Sequence, residues 1–391
     1  MQHSGDLLFG LFVMFGGGKL LAELFERLKQ PSVVGEILAG VLLGPSLFSL
    51  IRPTSAINGI AEIGAIFLLF TVGLETKPSQ LLRVGGTAAL VAVVGVVFPF
   101  AFGFVFVQWM NHKIVESFFV GAAMVATSVG ITARVLADLR VLQTRVAQVI
   151  LGAAVLDDIL GMLVLAVVSS LSAGHINYWQ LAAVTAEAVT FALLMVFLGP
   201  RLVGQLRPAV ARLQTANSPF VLSVVLCLGL SLASVRIGMA AIIGAFLAGL
   251  ALAEEGEHWG LQRSAHPVME FLAPFFFVLL GAEVNLRVLA NSKVVVMALV
   301  ISVLAIIGKW VGCGLGALGL GPKDAVRIGL GMVPRGEVGL IVAVVGLHLH
   351  TISDAIYAVV VIMSIVTTLF APPLLRLVLE TPQARETAET E

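Results

Sequence analysis

The chain is divided into apolar stretches of about 20 residues, the length that an α-helix needs to cross the hydrocarbon core of a membrane. Proline, glycine and clusters of charge separate thirteen such stretches within the 391 residues. Only 12% of the residues are charged and 59% are hydrophobic, whereas soluble domains carry about 25% charged residues. So little charge cannot cover the surface of soluble domains, and we predict an all-α polytopic membrane protein in contact with the lipid bilayer. The stretches lie at 7–28, 31–50, 57–76, 84–109, 115–138, 144–171, 178–203, 217–236, 239–253, 266–286, 293–319, 324–347 and 354–379.

Charge balance and metal-ligating residue types exclude several classes of function. The 23 Lys and Arg residues equal the 23 Asp and Glu residues, and no long basic run offers the positive face that a nucleic acid requires. Cys227 and Cys313 lie in apolar stretches and are interpreted as small buried hydrophobic residues. The seven histidines show no zinc-binding spacing within a helix, so we expect no metal cofactor.

The lysines and arginines of the loops predict the orientation. With the N-terminus outside, fourteen of them fall on the cytoplasmic side and five on the outer side. Cytoplasmic loops of membrane proteins carry the excess of these residues. We therefore expect the N-terminus outside, the C-terminus inside, and residues 380–391 as a short cytoplasmic tail.

The two halves of the chain repeat each other. The second stretch, VVGEILAGVLLG, aligns with IIGAFLAGLALA of the ninth at an offset of 209 residues, and AEIGAIFLLFTVGLE of the third aligns with MEFLAPFFFVLLGAE of the tenth at 208. In the fifth and twelfth stretches, GAAMVATSVGI resembles GLGMVPRGEVGL. Because seven stretches separate each pair, the second half crosses the membrane in the opposite direction. Such inverted-topology repeats are typical of secondary transporters.

The repeat also predicts where the binding site lies. The fifth stretch contains the hydroxyl residues Thr127, Ser128 and Thr132, and its partner contains Pro334 between glycines. Both are poor helix sequences at the same position of the two halves. We therefore expect two interrupted crossing helices with a binding site between them near the midplane, because irregular backbone at that depth is tolerated only where protein or a cavity satisfies it.

Three ionisable residues lie far from either membrane surface. Asp157 and Asp158 are in the middle of the sixth stretch and Lys309 is in the middle of the eleventh. A charge there costs about 2.5–3.5 kcal/mol on insertion scales and marks a functional candidate. Adjacent helical residues project about 100° apart, so one carboxylate can face Lys309 while the other faces a cavity; a static ion pair between two helices is the structural alternative. Lys19 and Glu36 are interpreted as snorkelling or helix-contact residues.

Other charges lie in or near the interrupted stretches. Arg335 and Glu337 flank the predicted break of the twelfth stretch and either neutralise the dipoles of the half-helices or bind substrate, and we favour neutralisation. Arg134 of the fifth stretch is likewise interpreted as a charge that supports a helix break. The repeat-related Glu62 and Glu270 are candidate partners for Arg335 and for Arg134.

These motifs carry a family resemblance. The segments ATSVGITARVL, GAAVLDDILGMLVLAVV and GMVPRGEVGLIVA, together with the lysine of the eleventh stretch, are similar to the monovalent cation:proton antiporter-2 family, and in particular to NapA-type bacterial sodium/proton antiporters. The resemblance implies that Asp158 binds a proton and a sodium or lithium ion alternately, and that Asp157 pairs with Lys309. It also implies that Thr127 and Ser128 supply oxygen atoms to the cation and that exchange is electrogenic.

The resemblance further implies a domain division and an assembly. A core domain at about 84–171 and 293–379 would move against dimerisation and scaffold helices at about 7–76 and 178–286, in a homodimer in the bacterial cytoplasmic (inner) membrane. The transported ions are then sodium or lithium and protons.

Several other functions stay open at this point. A potassium/proton antiporter of the same family differs only in cation preference. A sodium-coupled symporter of an organic anion needs a larger polar cavity than this small aliphatic midplane offers. An intramembrane aspartyl protease requires its two aspartates on facing helices, and a pore requires a selectivity-filter sequence, which is not found here. Secondary transport, rather than enzymatic activity, is the prediction.

Overall fold

The computed structural model describes residues 2–110, 113–172, 178–210, 217–284, 292–335, 337–349 and 351–379. Within these ranges the backbone forms fifteen α-helices and no β-strand. The helices are α1 (Gln2–Arg27), α2 (Ser32–Leu43), α3 (Ser55–Glu75), α4 (Pro78–Trp109), α5 (Ile114–Ala123), α6 (Val129–Asp138), α7 (Arg145–Ser172), α8 (Tyr178–Val210), α9 (Ser218–Arg236), α10 (Ala241–Trp259), α11 (Leu261–Ala282), α12 (Ser292–Gly316), α13 (Pro322–Gly331), α14 (Glu337–His348) and α15 (Asp354–Leu379).

These helices account for thirteen crossings. Nine of the described helices, α1, α3, α4, α7, α8, α9, α11, α12 and α15, contain an apolar segment long enough to span a membrane. We count the 12-residue α2 and the 19-residue α10 as two more crossings because they correspond to the repeat-related second and ninth stretches. The remaining four are short and form two interrupted crossings, α5 with α6 and α13 with α14. The predicted fold class is confirmed.

Several of the predicted boundaries were wrong by five residues or more: α1, α4 and α11 begin earlier and α8 ends later than expected. Two further errors have a clear local reason. The second stretch was expected to reach residue 50, but α2 ends at Leu43 because Pro45 follows and the preceding Gly44 is extended, with ψ −178°, as a residue before proline is expected to be. The ninth stretch was expected to end at 253, but α10 continues to Trp259 and ends at Gly260, which has a φ of 63°. A glycine tolerates this left-handed conformation and commonly ends a helix.

Equivalent helices of the two halves pack on equivalent neighbours. The helix α1 packs on α2 as α9 packs on α10, α4 packs on α7 as α12 packs on α15, and α3 packs on α10 as α11 packs on α2.

Glycines make two of these contacts possible. Gly40 of α2 and Gly281 of α11 each face the main chain of the other helix, and the repeat-related Gly249 of α10 and Gly73 of α3 do the same. A methyl group at any of the four positions would overlap a carbonyl oxygen of the facing helix. Small residues let membrane helices approach closely, so the repeat is present in the packing as well as in the sequence.

The helices around the two interruptions form one packed group. The helix α4 lies against α12, α5 and α7, and α15 lies against α12 and α14. The helices α1, α2, α3, α9, α10 and α11 pack mainly on one another, and α6 reaches them through α3 and α2. The interrupted crossings are therefore surrounded by protein, which satisfies the backbone that leaves the helical conformation.

Candidate functional site

The two interrupted crossings meet at their breaks. The backbone N–H of Ser128 donates to the carbonyl oxygen of Pro334 at 2.8 Å, and the hydroxyl of Thr127 donates to the carbonyl of Met332 at 3.1 Å. One turn further on, the hydroxyl of Thr132 donates to the carbonyl of Gly331 at 2.7 Å. The hydroxyl residues that make the fifth stretch a poor helix thus hydrogen-bond backbone carbonyls of the other crossing that no helix satisfies.

Asp157 lies beside this meeting point. Its side chain is only 1% exposed, and its Oδ2 accepts a hydrogen bond from the backbone N–H of Thr127 at 3.1 Å. Its Oδ1 lies 2.5 Å from Nζ of Lys309. Lys309 is fully buried and also donates to the carbonyl oxygen of Val125 at 2.7 Å. One ion pair therefore connects α7, α12 and the break of the fifth crossing.

Asp158 is placed differently from its neighbour. Its side chain is partly exposed, whereas that of Asp157 is buried, because successive positions of α7 project in different directions. The hydroxyl residues Thr127 and Ser128 are buried in the break. The structure brings Thr127, Asp157 and Lys309 into direct contact and places Ser128 and Asp158 one position away from them along the chain.

Arg335 binds backbone carbonyl oxygens just beyond the C-terminal end of α5. It is fully buried, and its guanidinium donates to the carbonyl oxygens of Val125 at 2.9 Å, Ala126 at 2.8 Å and Ala305 at 3.4 Å. The first two carbonyls lie in the break that follows α5, which ends at Ala123, and a positive charge near the C-terminal end of a helix also opposes the helix dipole. The expected partner Glu62 is instead exposed on α3, so that pairing was wrong.

The other predicted charges are at different places. Glu337 is the first residue of α14, but its side chain lies outside the described residues. Arg134 was expected to support a break, but it lies inside α6, which resumes at Val129; the sequence did not show where the helix resumes. The predicted contact of Arg134 with Glu270 is present, with Nη1 3.4 Å from Oε1.

Around Arg134 the structure shows a group of charges that the sequence did not indicate as one cluster. Arg134 Nε lies 3.0 Å from Asp138 Oδ1, and Glu270 also pairs with Lys19 at 3.1 Å. Glu36 is completely buried nearby. A cavity of about 380 Å³ is lined by Arg134, Asp138 and Glu270. The sequence offered two signals for this cluster, the predicted pairing of Arg134 with Glu270 and the glutamate in the middle of VVGEILAG.

An inverted repeat with two interrupted helices crossing beside a buried aspartate–lysine pair defines a secondary transporter. The sequence agrees with this class: residues 11–381 match the family model described as "Sodium/hydrogen exchanger, transmembrane". The chain belongs to this family of monovalent cation:proton antiporters, whose members are transporters rather than enzymes, as predicted.

Relatives and solved structures agree with this assignment. The chain is 36% identical to the "High-affinity Na(+)/H(+) antiporter NhaS3" of Synechocystis, an alignment that covers 98% of this chain and 92% of the relative. It is 32% identical to the "Na(+)/H(+)-K(+) antiporter GerN" of Bacillus cereus, over 95% of this chain and 96% of the relative. The fold is similar to that of the sodium proton antiporter MjNhaP1 from Methanocaldococcus jannaschii, with a TM-score of 0.69, 21% identity, and coverage of 97% of this chain and 95% of that one.

Proposed function

We propose that this protein exchanges protons for sodium or lithium across the cytoplasmic membrane, electrogenically, by competition of the two ions for Asp158. The observation that carries the proposal is the partly exposed Asp158 next to the buried Asp157–Lys309 ion pair, where the two interrupted helices cross. The relatives described above are named a Na(+)/H(+) antiporter and a Na(+)/H(+)-K(+) antiporter, which supports sodium and protons as the exchanged ions.

Competition at one carboxylate is sufficient to couple the two ions. Sodium is a hard cation, and carboxylate, hydroxyl and carbonyl oxygens are its natural ligands. Asp158, with Thr127 and Ser128 in the adjacent break, supplies these atoms. A proton neutralises the same carboxylate and removes the charge that attracts the cation. Since an empty, charged carboxylate is costly to carry through the membrane, only the loaded forms cross.

Lys309 provides a reason for charge movement. It is held by Asp157 and by the carbonyl of Val125, so its charge depends on contacts that an entering cation disturbs. A buried lysine loses its proton readily when its partner is withdrawn. Exchange of two protons for one sodium then moves one net charge, driven by about 2.3 kcal/mol per 100 mV.

Alternating access requires two groups of helices that move relative to each other. We propose that the core at about 84–171 and 293–379 moves against the scaffold helices at about 7–76 and 178–286, through which two copies form a homodimer. Support comes from the packing, because α4 to α7 and α12 to α15 contact one another more extensively than they contact the rest. The site lies within the first group and is carried with it.

Potassium is a second candidate for the transported cation, and one specific observation supports it. GerN, 32% identical over 95% of this chain, is named a Na(+)/H(+)-K(+) antiporter. Potassium is therefore included in the test below. A sodium-coupled organic anion symporter has no such support.

The test is cation-dependent proton flux in proteoliposomes that contain a pH dye and an acidic interior. We expect external sodium and lithium to make the interior alkaline with wild-type protein, and a clamp of the membrane potential to change the rate. Asp158→Asn should abolish the flux because the carboxylate that both ions require is gone. Asp6→Asn, at an exposed position of α1, is the matched control and should retain it.

Two results would contradict the proposal. Robust sodium-driven proton flux in folded Asp158→Asn would remove Asp158 from the mechanism. Absence of flux with any of the three cations in folded wild-type protein would exclude antiport altogether.

A further inference from the structure

Glu36 is a buried carboxyl group that the transport mechanism does not use. It lies in the middle of α2 with none of its surface exposed. Among the described residues, no donor is within hydrogen-bonding reach of either of its oxygens. A buried ionised carboxylate without hydrogen bonds is strongly unfavourable, whereas the protonated form tolerates such a site far better. Its surroundings therefore favour a bound proton.

The charges that act on Glu36 come from three packed helices. Arg134 and Asp138 belong to α6, Lys19 to α1 and Glu270 to α11. The helix α15 also contacts α2, but its only charged residues, Asp354 and Arg376, are in its first and last turns.

These charges are already balanced without Glu36. Arg134 pairs with Asp138 at 3.0 Å and with Glu270 at 3.4 Å, and Lys19 pairs with Glu270 at 3.1 Å. Two cations thus face two anions. Glu26 of α1 also interacts with Arg134, Asp138 and Lys19 and adds a third carboxylate at the edge of this group. A further anion at the fully buried Glu36 would therefore be in excess, which is a second reason for the proton.

The cluster also joins the two groups of helices. Arg134 and Asp138 are on α6, while Glu270 is on α11. The hydroxyl of Ser32, in the first turn of α2, donates to Asp138 Oδ2 at 2.9 Å. Any movement of α6 relative to α2 and α11 must break or rearrange these contacts.

We propose that Glu36 is a second proton-binding site, separate from Asp157 and Asp158, and that its proton stabilises the packed arrangement of α6 against α2. When the proton leaves, the carboxylate needs water or the guanidinium of Arg134. Either partner requires α6 to shift, and the 380 Å³ cavity beside Arg134 gives space for it. Raising the pH therefore favours separation of the two helices, and lowering it favours the packed state. Only the effect on transport rests on the function proposed above.

The proton is detected directly by infrared difference spectroscopy of the purified protein in detergent. A protonated carboxyl group without a hydrogen bond gives a C=O stretching band at unusually high frequency. We expect this band in wild type, its loss in Glu36→Gln, and its decrease as the pH is raised. Glu62→Gln, which changes an exposed glutamate of α3, is the matched control and should keep the band.

The consequence for transport is measured as a pH profile at saturating sodium, where competition at Asp158 does not contribute. The wild-type rate should rise with pH, by up to about tenfold per unit, the limit for one proton. Glu36→Gln, permanently neutral, should lose this rise and stay at the low rate of acid pH, whereas Glu36→Asp should restore a rise with a shifted midpoint.

The outcomes separate the two proposals. Absence of the high-frequency band in wild type, or its persistence in Glu36→Gln, would mean that Glu36 does not carry the proton and would overturn the inference. If folded Glu36→Gln showed the same rise of transport rate with pH as wild type, the proposed coupling of the Glu36 proton to transport would be overturned. Loss of the band in Glu36→Gln combined with no cation-driven flux in wild type would instead refute the proposed function and leave the proton site intact.

Discussion

At the scale of single residues, the buried cations of this protein are held by specific acceptors. Lys309 binds Asp157 and a carbonyl oxygen, and Arg335 binds carbonyls in the break that follows α5. Removing one partner of a buried ion pair is far more costly than removing both, because the remaining charge stays buried without compensation. The structural and the functional interpretations of the Asp157–Lys309 pair can therefore be separated by mutation.

Lys309→Gln is expected to lower the free energy of unfolding by about 3–5 kcal/mol, since it leaves Asp157 buried without its cation. The double variant Asp157→Asn with Lys309→Gln should be more stable than Lys309→Gln alone. Thermal unfolding in detergent measures both. Lys323→Gln, at an exposed position in the first turn of α13, is the control and should change stability little.

The same variants test the functional role of the lysine. If Lys309 carries the second proton, Lys309→Gln changes the response of the flux to membrane potential more than it changes turnover. A variant that is destabilised but keeps the wild-type voltage response would mean that the pair only holds two helices together.

At the scale of helices, the protein is organised by close contacts between repeat-related elements. The contact of α2 with α11 and that of α3 with α10 use glycines at equivalent positions. The repeat found in the sequence is therefore a repeat of contacts, and equivalent substitutions should have equivalent effects.

Gly40→Ala and Gly249→Ala should each destabilise the protein strongly, because the added methyl group overlaps backbone atoms of the facing helix and not a movable side chain. We expect a loss of at least about 2 kcal/mol for each, within the range observed for overpacking. Gly86→Ala in α4, which would meet no neighbouring atom, should be neutral or stabilising by up to about 1 kcal/mol. Thermal unfolding with size-exclusion chromatography distinguishes them, and an effect at only one of the two related positions would contradict the equivalence.

At the scale of the whole molecule, the distribution of charge predicts the orientation in the membrane. The excess of lysine and arginine on one side, fourteen against five, predicts that the loop at Lys113 is outside and that Arg83 is inside. The direction in which sodium and protons move depends on this orientation.

Labelling of single cysteines in intact cells tests this orientation. In a background with Cys227 and Cys313 replaced by serine, an impermeant maleimide should react with Lys113→Cys and not with Arg83→Cys until the cells are permeabilised. Both positions are exposed, so accessibility within the protein does not explain a difference. The reverse labelling pattern would invert the proposed orientation.

Some features of the site followed directly from the residues. The pairing of one of the two aspartates with Lys309 was predicted from mid-membrane charges, and the choice of Asp157 came from the family resemblance. The interruptions were predicted from hydroxyl residues and a proline at matching positions. Other features did not follow. Arg335 binds carbonyl oxygens rather than Glu62, and Arg134 lies within a helix rather than at a break. The partner of Arg335 and the position of Arg134 depend on where a helix ends and how it is rotated, and both are defined only by the packing of the helices.

The sequence by itself determined the membrane class, the helical crossings and the inverted repeat, and it predicted a site near the midplane. Hydropathy, helix-breaking residues and the cost of charge in lipid act locally, so they can be read along the chain. The tertiary structure decided which charges meet. It joined Arg134, Asp138, Glu270 and Lys19 from three helices and left Glu36 beside them without a hydrogen bond, because contacts between distant segments depend on how the helices approach and rotate against one another.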